Sequence, residues 1–116
     1  FHINNNKLSQ VIKNYINKNY YQNLNLSILS KTIGYHPDYI GKMFIKQTGN
    51  SITRYINMVR IDNAKKIMLQ TDYTLSNIAE MVGFKDVYYF SKVMKKYEGT
   101  SPGQWRNNNL CFRNKI

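Results

Sequence analysis

The chain contains one internal repeat, and this repeat restricts the folds that it can adopt. The segment Leu26–Tyr35 (LSILSKTIGY) recurs in degenerate form 49 residues later as Leu75–Phe84 (LSNIAEMVGF). The positions that follow recur at an offset of 50 residues, pairing Tyr39, Lys42, Lys46, Gly49 and Ser51 with Tyr89, Lys92, Lys96, Gly99 and Ser101. A solenoid needs at least about three stacked units. The sequence therefore predicts two copies of one small recognition module.

Length and charge narrow the possibilities further. The 116 residues suffice for one ordinary domain, whereas each half, of roughly 45 residues, is too small to be stable alone and must share packing or a rigid connector. The formal net charge is +11 with a pI near 9.8. This charge suggests a polyanionic partner, although nucleic acid, an anionic membrane surface and simple solubility all remain open on charge alone.

Several classes of chemistry lack the residues they need. Cys111 is the one cysteine, so the chain forms no internal disulfide or cysteine-based metal cluster, as is typical of a reducing compartment. His2 and His36 have no suitably spaced carboxylates beside them, and we predict no metal, no cofactor and no enzymatic activity. The sequence has no apolar run long enough to span a membrane and no signal peptide, so we expect a cytoplasmic location. Because it starts at Phe1 without Met, we expect a fragment that lacks an upstream domain.

Apolar residues recur at helical spacing almost everywhere, and no stretch alternates convincingly with period two. The sequence therefore predicts an all-α fold of seven helices. Polar caps and glycines mark the helix ends. We expect residues 1–50 to contain a first helix (about 7–20) and a first helix-turn-helix, followed by a connecting helix in 51–71. Residues 72–107 are expected to form a second helix-turn-helix and a short C-terminal helix. The remaining residues, 108–116, are expected to form a loosely ordered tail.

Each repeated unit is a short helix, a turn containing glycine and a second helix, which is the layout of a helix-turn-helix. One such pattern is weak evidence for DNA binding, but two in register on a strongly basic chain favour it. The connecting helix is predicted over 52–70, so at about 1.5 Å per residue it spans roughly 28 Å. Successive major-groove faces on one side of B-DNA lie about 34 Å apart. One polypeptide can therefore present two recognition helices to adjacent turns of DNA.

The chain resembles the DNA-binding domain of the AraC/XylS family of bacterial transcription regulators over about residues 7–106. The resemblance is carried by Gly49–Ser51, Tyr55, Arg60, Ala64, Ile78, Ala79, Val82–Phe84, Asp86, Tyr89–Lys92, Lys95–Tyr97, Gly99–Pro102 and Arg106. The resemblance implies two helix-turn-helix subdomains that are joined by a long helix and bind promoter DNA. It also implies RNA polymerase as a further partner and a separate regulatory or dimerisation domain, most often N-terminal. The chain departs from the usual pattern at Ser30, where Ala is common, and at Met94, where Phe is common.

Helical periodicity predicts which side chains face DNA. In the third helix Ile40 and Phe44 form the buried pair, and in the sixth helix Phe90 and Met94 do so. The family resemblance implies base contacts from the outward positions, namely Asp38, Gly41, Lys42, Val87, Tyr88, Ser91 and Lys92. We expect the second module to contribute more of the sequence discrimination, because Gly41 has no side chain and Asp38 repels phosphate. A favourable interaction with the helix dipole explains Asp38 equally well.

Phosphate contacts are expected from side chains beside these faces: Lys46, Ser51, Arg54, Lys95 and Lys96. For any single lysine a solvated surface charge is an equal alternative, and Ser51 also qualifies as a helix cap. Arg60 is expected to form a structural ion pair with Asp62 or Asp72 rather than to contact DNA.

Two other functions compete with a sequence-specific regulator. A nucleoid-type protein that binds DNA without sequence preference has the same charge and is distinguished only by competition between specific and random duplexes. A basic membrane-surface module requires a broad apolar face on one helix, whereas here glycine and proline interrupt the apolar stripes. The operator, the regulated genes, the effector and the direction of regulation are not determined by the sequence.

Overall fold

The computed structural model describes residues 4–113, and within this range the chain forms seven helices and no strand. This arrangement confirms the predicted all-α fold class. The helices are α1 (Asn5–Asn19), α2 (Leu26–Ile33), α3 (Pro37–Thr48), α4 (Ile52–Gln70), α5 (Leu75–Met81), α6 (Val87–Glu98) and α7 (Pro102–Arg113).

Side-chain caps determine where the helices begin. The Asn25 side chain accepts a hydrogen bond from the Ile28 amide at 2.9 Å, and Thr74 does the same for Asn77 at 3.1 Å. These two caps occupy equivalent positions of the repeat and satisfy amides that have no partner within their own helices. Asn4 caps α1 in the same way, which explains why this helix begins two residues before the predicted start at Lys7.

Glycines with positive φ follow the same repeat. Across the described residues, positive φ occurs only at Gly34, Gly49, Gly83 and Gly99, which are the two pairs that the sequence repeat relates. Gly34 has φ 89° and its amide donates to the Ser30 carbonyl at 2.9 Å. A side chain at such a position would strain the backbone. The turn inside each helix-turn-helix is therefore specified by its glycine.

The chain divides into two compact units, with the boundary between Val59 and Arg60 inside α4. In the first unit, α1 to α3 and the first turns of α4 enclose a core of fully or almost fully buried side chains: Leu8, Ile12, Ile16, Leu24, Leu29, Ile40, Met43, Phe44, Ile52 and Ile56. In the second unit, the rest of α4 packs with α5, α6 and α7 around another set: Ile61, Ala64, Met68, Ile78, Ala79, Val82, Phe84, Phe90, Val93, Met94 and Pro102.

Both departures from the family pattern fit these cores. Met94 is completely buried. Ser30 is 8% exposed, and its hydroxyl donates to the backbone carbonyl of Tyr35 across the turn. A buried hydroxyl without a partner is costly, so this hydrogen bond is what allows serine to stand where the second module has Ala79.

The predicted C-terminal boundary was too early. We expected a loosely ordered tail from residue 108, but α7 continues to Arg113, and residues 114–116 lie outside the described range. Asn109 donates a side-chain hydrogen bond to the Trp105 carbonyl at 2.7 Å. Asparagine has a modest helix propensity, and the Asn-rich composition of 107–109 therefore suggested a helix end that the structure does not have.

Arg106 of α7 joins the end of α4 to the segment that leads into α5. Its Nε donates to the Met68 carbonyl at 3.1 Å, and its terminal nitrogens donate to the carbonyls of Thr71 and Tyr73 at 2.6 Å each. The last carbonyls of a helix have no partner within it, and hydrogen bonds from a charged donor are stronger than neutral ones. Arg106 therefore fixes the entry of the chain into the second helix-turn-helix.

We predict that Arg106→Lys lowers the free energy of unfolding by about 2 to 4 kcal/mol, because an ammonium lacks the planar fork that reaches three separate carbonyls. Urea denaturation measures the loss. Lys66→Ala is the control, since Lys66 is exposed on α4 and its removal should change stability by less than about 0.5 kcal/mol. Equal losses in the two variants would contradict the role assigned to Arg106.

Candidate nucleic-acid interface

The outward face of α3 is defined by what the helix buries. Ile40 and Phe44 are completely buried and Met43 is 5% exposed, and the Phe44 ring packs edge-on against Tyr55 with centroids 5.7 Å apart. The opposite face carries the predicted positions. Asp38 and Lys42 are exposed and Gly41 is half-buried.

The start of α3 is capped by a histidine, at the position where α6 has the aspartate Asp86. His36 Nδ1 accepts a hydrogen bond from the Asp38 amide at 3.2 Å and lies 3.9 Å from Asp38 Oδ2. The Asp38 carboxylate is thus in the first turn, where the helix dipole favours negative charge. Both interpretations of Asp38, as a helix-stabilising charge and as a base contact, are compatible with this position.

In α6 the buried and exposed faces are separated in the same way. Phe90 and Met94 are completely buried, and the Phe84 ring stacks on Phe90 with centroids 5.2 Å apart. Asp86 caps the helix by accepting from the Tyr89 amide at 2.8 Å. The predicted base-contacting positions lie opposite: Tyr88 and Lys92 are exposed and Val87 and Ser91 are half-buried.

Among the large hydrophobic side chains that the structure describes, Tyr88 is the most exposed, with 82% of its area accessible. An exposed aromatic ring gains no burial free energy on folding, so its apolar area remains available for contact with a ligand. Tyr89, the next residue, is by contrast half-buried and packs edge-on against Phe84 with centroids 5.9 Å apart. The two adjacent tyrosines therefore have different roles, and Tyr88 is the one available to a ligand.

The residues predicted to contact phosphate lie at the ends of α3 and α6 and at the start of α4. Lys46, Lys95 and Lys96 are exposed in the last turns of their helices. Ser51 is exposed but caps α4, since its hydroxyl accepts from the Arg54 amide at 3.1 Å. Capping thus accounts for the Ser51 side chain at least as well as phosphate contact does.

Arg54 has a neighbour that sequence reasoning did not identify. Its Nε donates to Asn50 Oδ1 at 3.0 Å, so Asn50 holds the guanidinium at the start of α4. The spacing of four residues between Asn50 and Arg54 in the sequence could have predicted this contact, because side chains four positions apart are neighbours on a helix.

Arg60 belongs to the interior rather than to the interface. It is 8% exposed, and its guanidinium carbon lies 5.7 Å from the centroid of the Phe84 ring. Burial lowers the pKa of the Arg60 guanidinium from its ordinary value. Contact between the cation and the ring face partly offsets the desolvation. This position agrees with a structural role for Arg60 rather than a DNA contact, and the expected ion pair with Asp62 or Asp72 stays a prediction.

Over the described part of the chain, no three histidine, cysteine, aspartate or glutamate side chains are grouped so that they hold a metal ion. Over the same part, none of the helices combines the length and apolar character that crossing a membrane requires.

Comparisons with known proteins place this geometry among DNA-binding regulators. A family model described as a helix-turn-helix domain matches residues 29–108. The transcriptional regulatory protein YesN of Bacillus subtilis is 41% identical over 72% of this chain, which spans 24% of the length of that relative. The chain therefore corresponds to about a quarter of YesN.

Solved structures of DNA-binding regulators also resemble this chain. The C-terminal domain of the two-component response regulator yesN from Fusobacterium nucleatum matches with a TM-score of 0.81 at 35% identity, covering 86% of this chain and 98% of that one. The DNA-binding domain of AdpA, a global transcriptional factor solved in complex with a target DNA, has a TM-score of 0.85 over 93% and 97% of the two chains. At 15% identity the likeness to AdpA concerns the fold alone.

The burial pattern of α6 predicts that alanine substitutions of two aromatic residues, two positions apart, lower stability to very different extents. Tyr88→Ala should change the free energy of unfolding by less than about 0.5 kcal/mol, because the ring contributes little to the core. Phe90→Ala should cost about 3 to 5 kcal/mol, because it leaves a cavity. Chemical denaturation of both variants provides the comparison. A large loss of stability in Tyr88→Ala would show that its ring is packed in solution.

Proposed function

The chain belongs to the AraC/XylS family of helix-turn-helix DNA-binding domains, and from this membership we propose that it binds double-stranded promoter DNA with sequence preference for a bacterial transcription regulator. In this proposal α3 and α6 are the recognition helices. Each enters the major groove, and the two occupy successive turns of one duplex. Because α4 joins them covalently, a single chain supplies both.

One observation supports the proposal above the others: the two recognition helices expose cations at positions related by the repeat. Lys42 and Lys46 of α3 correspond to Lys92 and Lys96 of α6, and all four are exposed. Each helix buries the side chains of its opposite face fully or almost fully. Two cationic faces of the same geometry suit a ligand whose negative charge repeats along its length, as in duplex DNA.

The two faces differ in the chemistry that they offer to bases. At positions equivalent in the repeat, α3 has Asp38 and Gly41 where α6 has Tyr88 and Ser91. The Tyr88 and Ser91 hydroxyls donate and accept hydrogen bonds, and Lys92 reaches guanine O6 and N7. Val87 packs on a thymine methyl group. We therefore propose that α6 provides more of the hydrogen-bonded discrimination.

Phosphate contacts in this proposal come from Lys46, Arg54, Lys95 and Lys96, with Ser51 contributing through the start of α4. Arg54 is already held by Asn50, so less side-chain freedom is lost when it binds. Contacts of this kind position the domain on the duplex without specifying its sequence.

For the whole protein we propose a regulator in which this domain delivers DNA binding and another part, most often N-terminal in the family, provides regulation or dimerisation. RNA polymerase is then a further partner. The domain acts in the cytoplasm, needs no cofactor and performs no catalysis of its own. None of these proposals depends on the identity of the regulated genes.

Sequence-neutral binding is the competing function that the charge of +11 also allows. Competition at fixed salt between a duplex obtained by unbiased selection and a random duplex separates the two. A selected duplex that competes no better than the random one would reject sequence preference. Flotation with anionic liposomes tests the third possibility, a membrane-surface module.

We predict that the isolated domain binds as a monomer and protects about two helical turns of DNA, because the two recognition helices are parts of one chain. Footprinting measures the protected length, and sedimentation measures the stoichiometry. Each neutralised phosphate should add about −0.9 to the slope of log K against log salt. Protection of only one helical turn, or a strict requirement for dimers, would be incompatible with two recognition helices on one chain.

Lys92 and Lys96, one turn apart on α6, should behave differently. Lys92 is in the half of the helix that reaches base edges, and Lys96 is in the last turn, beside the backbone. Lys96→Ala should weaken selected and random duplexes alike and reduce the salt slope by about one unit. Lys92→Ala should weaken the selected duplex more. Identical losses for both variants on both duplexes would reduce Lys92 to a phosphate contact.

A further inference from the structure

A depression of about 240 Å³ lies in the outward face of α3. It is enclosed by residues from three helices and from the turn before α4: Leu26, Pro37, Asp38, Gly41, Lys42, Ile45, Ser51, Ile52 and Thr53. This first-module depression includes Asp38, Gly41 and Lys42, the three positions of α3 that are predicted to contact bases. The predicted second-module base contacts have no part in it, and the hydrogen-bonding assignments above do not explain it.

Part of the lining of the first-module depression is apolar, because Leu26, Ile45 and Ile52 contribute to it. A Cβ placed on Gly41 would lie 3.6 Å from Leu26 Cδ2, at ordinary van der Waals distance. The half-buried Leu26 therefore lacks the contact that a side chain at residue 41 would make with its methyl groups. Ile45, one turn further along α3, is 51% exposed. The depression thus combines the apolar side chains of Leu26 and Ile45 with the charged side chains of Asp38 and Lys42.

We propose that the first-module depression receives the 5-methyl group of a thymine in the major groove. This inference rests on the proposed function and assigns to α3 a base preference that its polar side chains do not provide. Among the four bases only thymine presents an apolar group on the major-groove edge. Its neighbouring O4 accepts a hydrogen bond, and the Lys42 ammonium at the rim is a suitable donor. Cytosine has neither group and presents an amino donor toward Lys42.

Gly41 is the residue that makes this contact possible. Its backbone is helical rather than left-handed, so conformation does not require glycine there. Glycine in a helix interior is less favourable than alanine, and alanine fits beside Leu26. Because Gly41 has no side chain, there is room for the thymine methyl group. The helix is less stable with glycine at this position than it would be with alanine.

The experiment starts from the duplex selected with the unmodified domain. Every thymine is replaced in turn by deoxyuridine, which removes the methyl group and leaves the hydrogen-bonding edge intact. At one thymine in the part of the site covered by α3, affinity should fall about fourfold, as expected for one buried methyl-sized group. The same series is then measured with Gly41→Ala, whose added methyl occupies the space.

Gly41→Ala should bind the thymine duplex about fourfold more weakly than the unmodified domain does. For this variant, the ratio of the affinity for the thymine duplex to the affinity for the deoxyuridine duplex at that position should fall to about one. Its thermal midpoint should rise by about 2 to 6 °C, so that unfolding cannot explain the weaker binding. Gly103→Ala is the matched control. Gly103 lies within α7, where a Cβ would be 3.7 Å from Leu75 Cδ1, and its substitution should leave the ratio unchanged. Val87→Ala should also preserve the ratio at the α3 thymine.

The outcomes separate the two proposals. If the unmodified domain does not prefer the selected duplex to a random one, the proposed function fails. If it does, but deoxyuridine has no effect in the α3 part of the site, or the site has no thymine there, the inference about Gly41 is wrong. A ratio that persists in Gly41→Ala would also reject it.

Discussion

The packing of a buried pair of side chains on α3 and on α6 determines how each of these helices is rotated about its axis. Ile40 and Phe44 of α3, and Phe90 and Met94 of α6, are completely buried. Each such side chain contributes about 1.5 to 3 kcal/mol relative to exposure. Rotating either helix about its axis would expose these groups and bury lysines, which is far more costly. The buried pair therefore fixes which face of each helix is exposed.

The duplication preserves this packing while the outward faces diverge. Equivalent caps, turns and buried positions recur in both modules, whereas Asp38 and Gly41 of one correspond to Tyr88 and Ser91 of the other. Such divergence is possible because exposed helix positions affect stability little. Two copies of one scaffold can thus offer different chemistry to the two halves of a site that need not be symmetric.

Other residues support these faces without being part of them. Arg106 satisfies three carbonyls before α5, Arg60 packs on Phe84, and Ser30 donates across the first turn. Each of these residues satisfies backbone groups or fills the core, so its substitution is expected to alter stability. Gly41 represents the opposite case, because a more stable residue fits there. A position where stability is given up without a conformational reason is a candidate for function.

The sequence by itself determined the features that depend on neighbours along the chain. The caps Asn25 and Thr74, the turn glycines and the limits of α4 were predicted, because capping, positive φ and helical periodicity are local properties. The tertiary structure decided what distant segments create together. The carbonyls that meet Arg106 and the depression between α2, α3 and the start of α4 depend on side chains packed across long sequence separations, which periodicity does not specify.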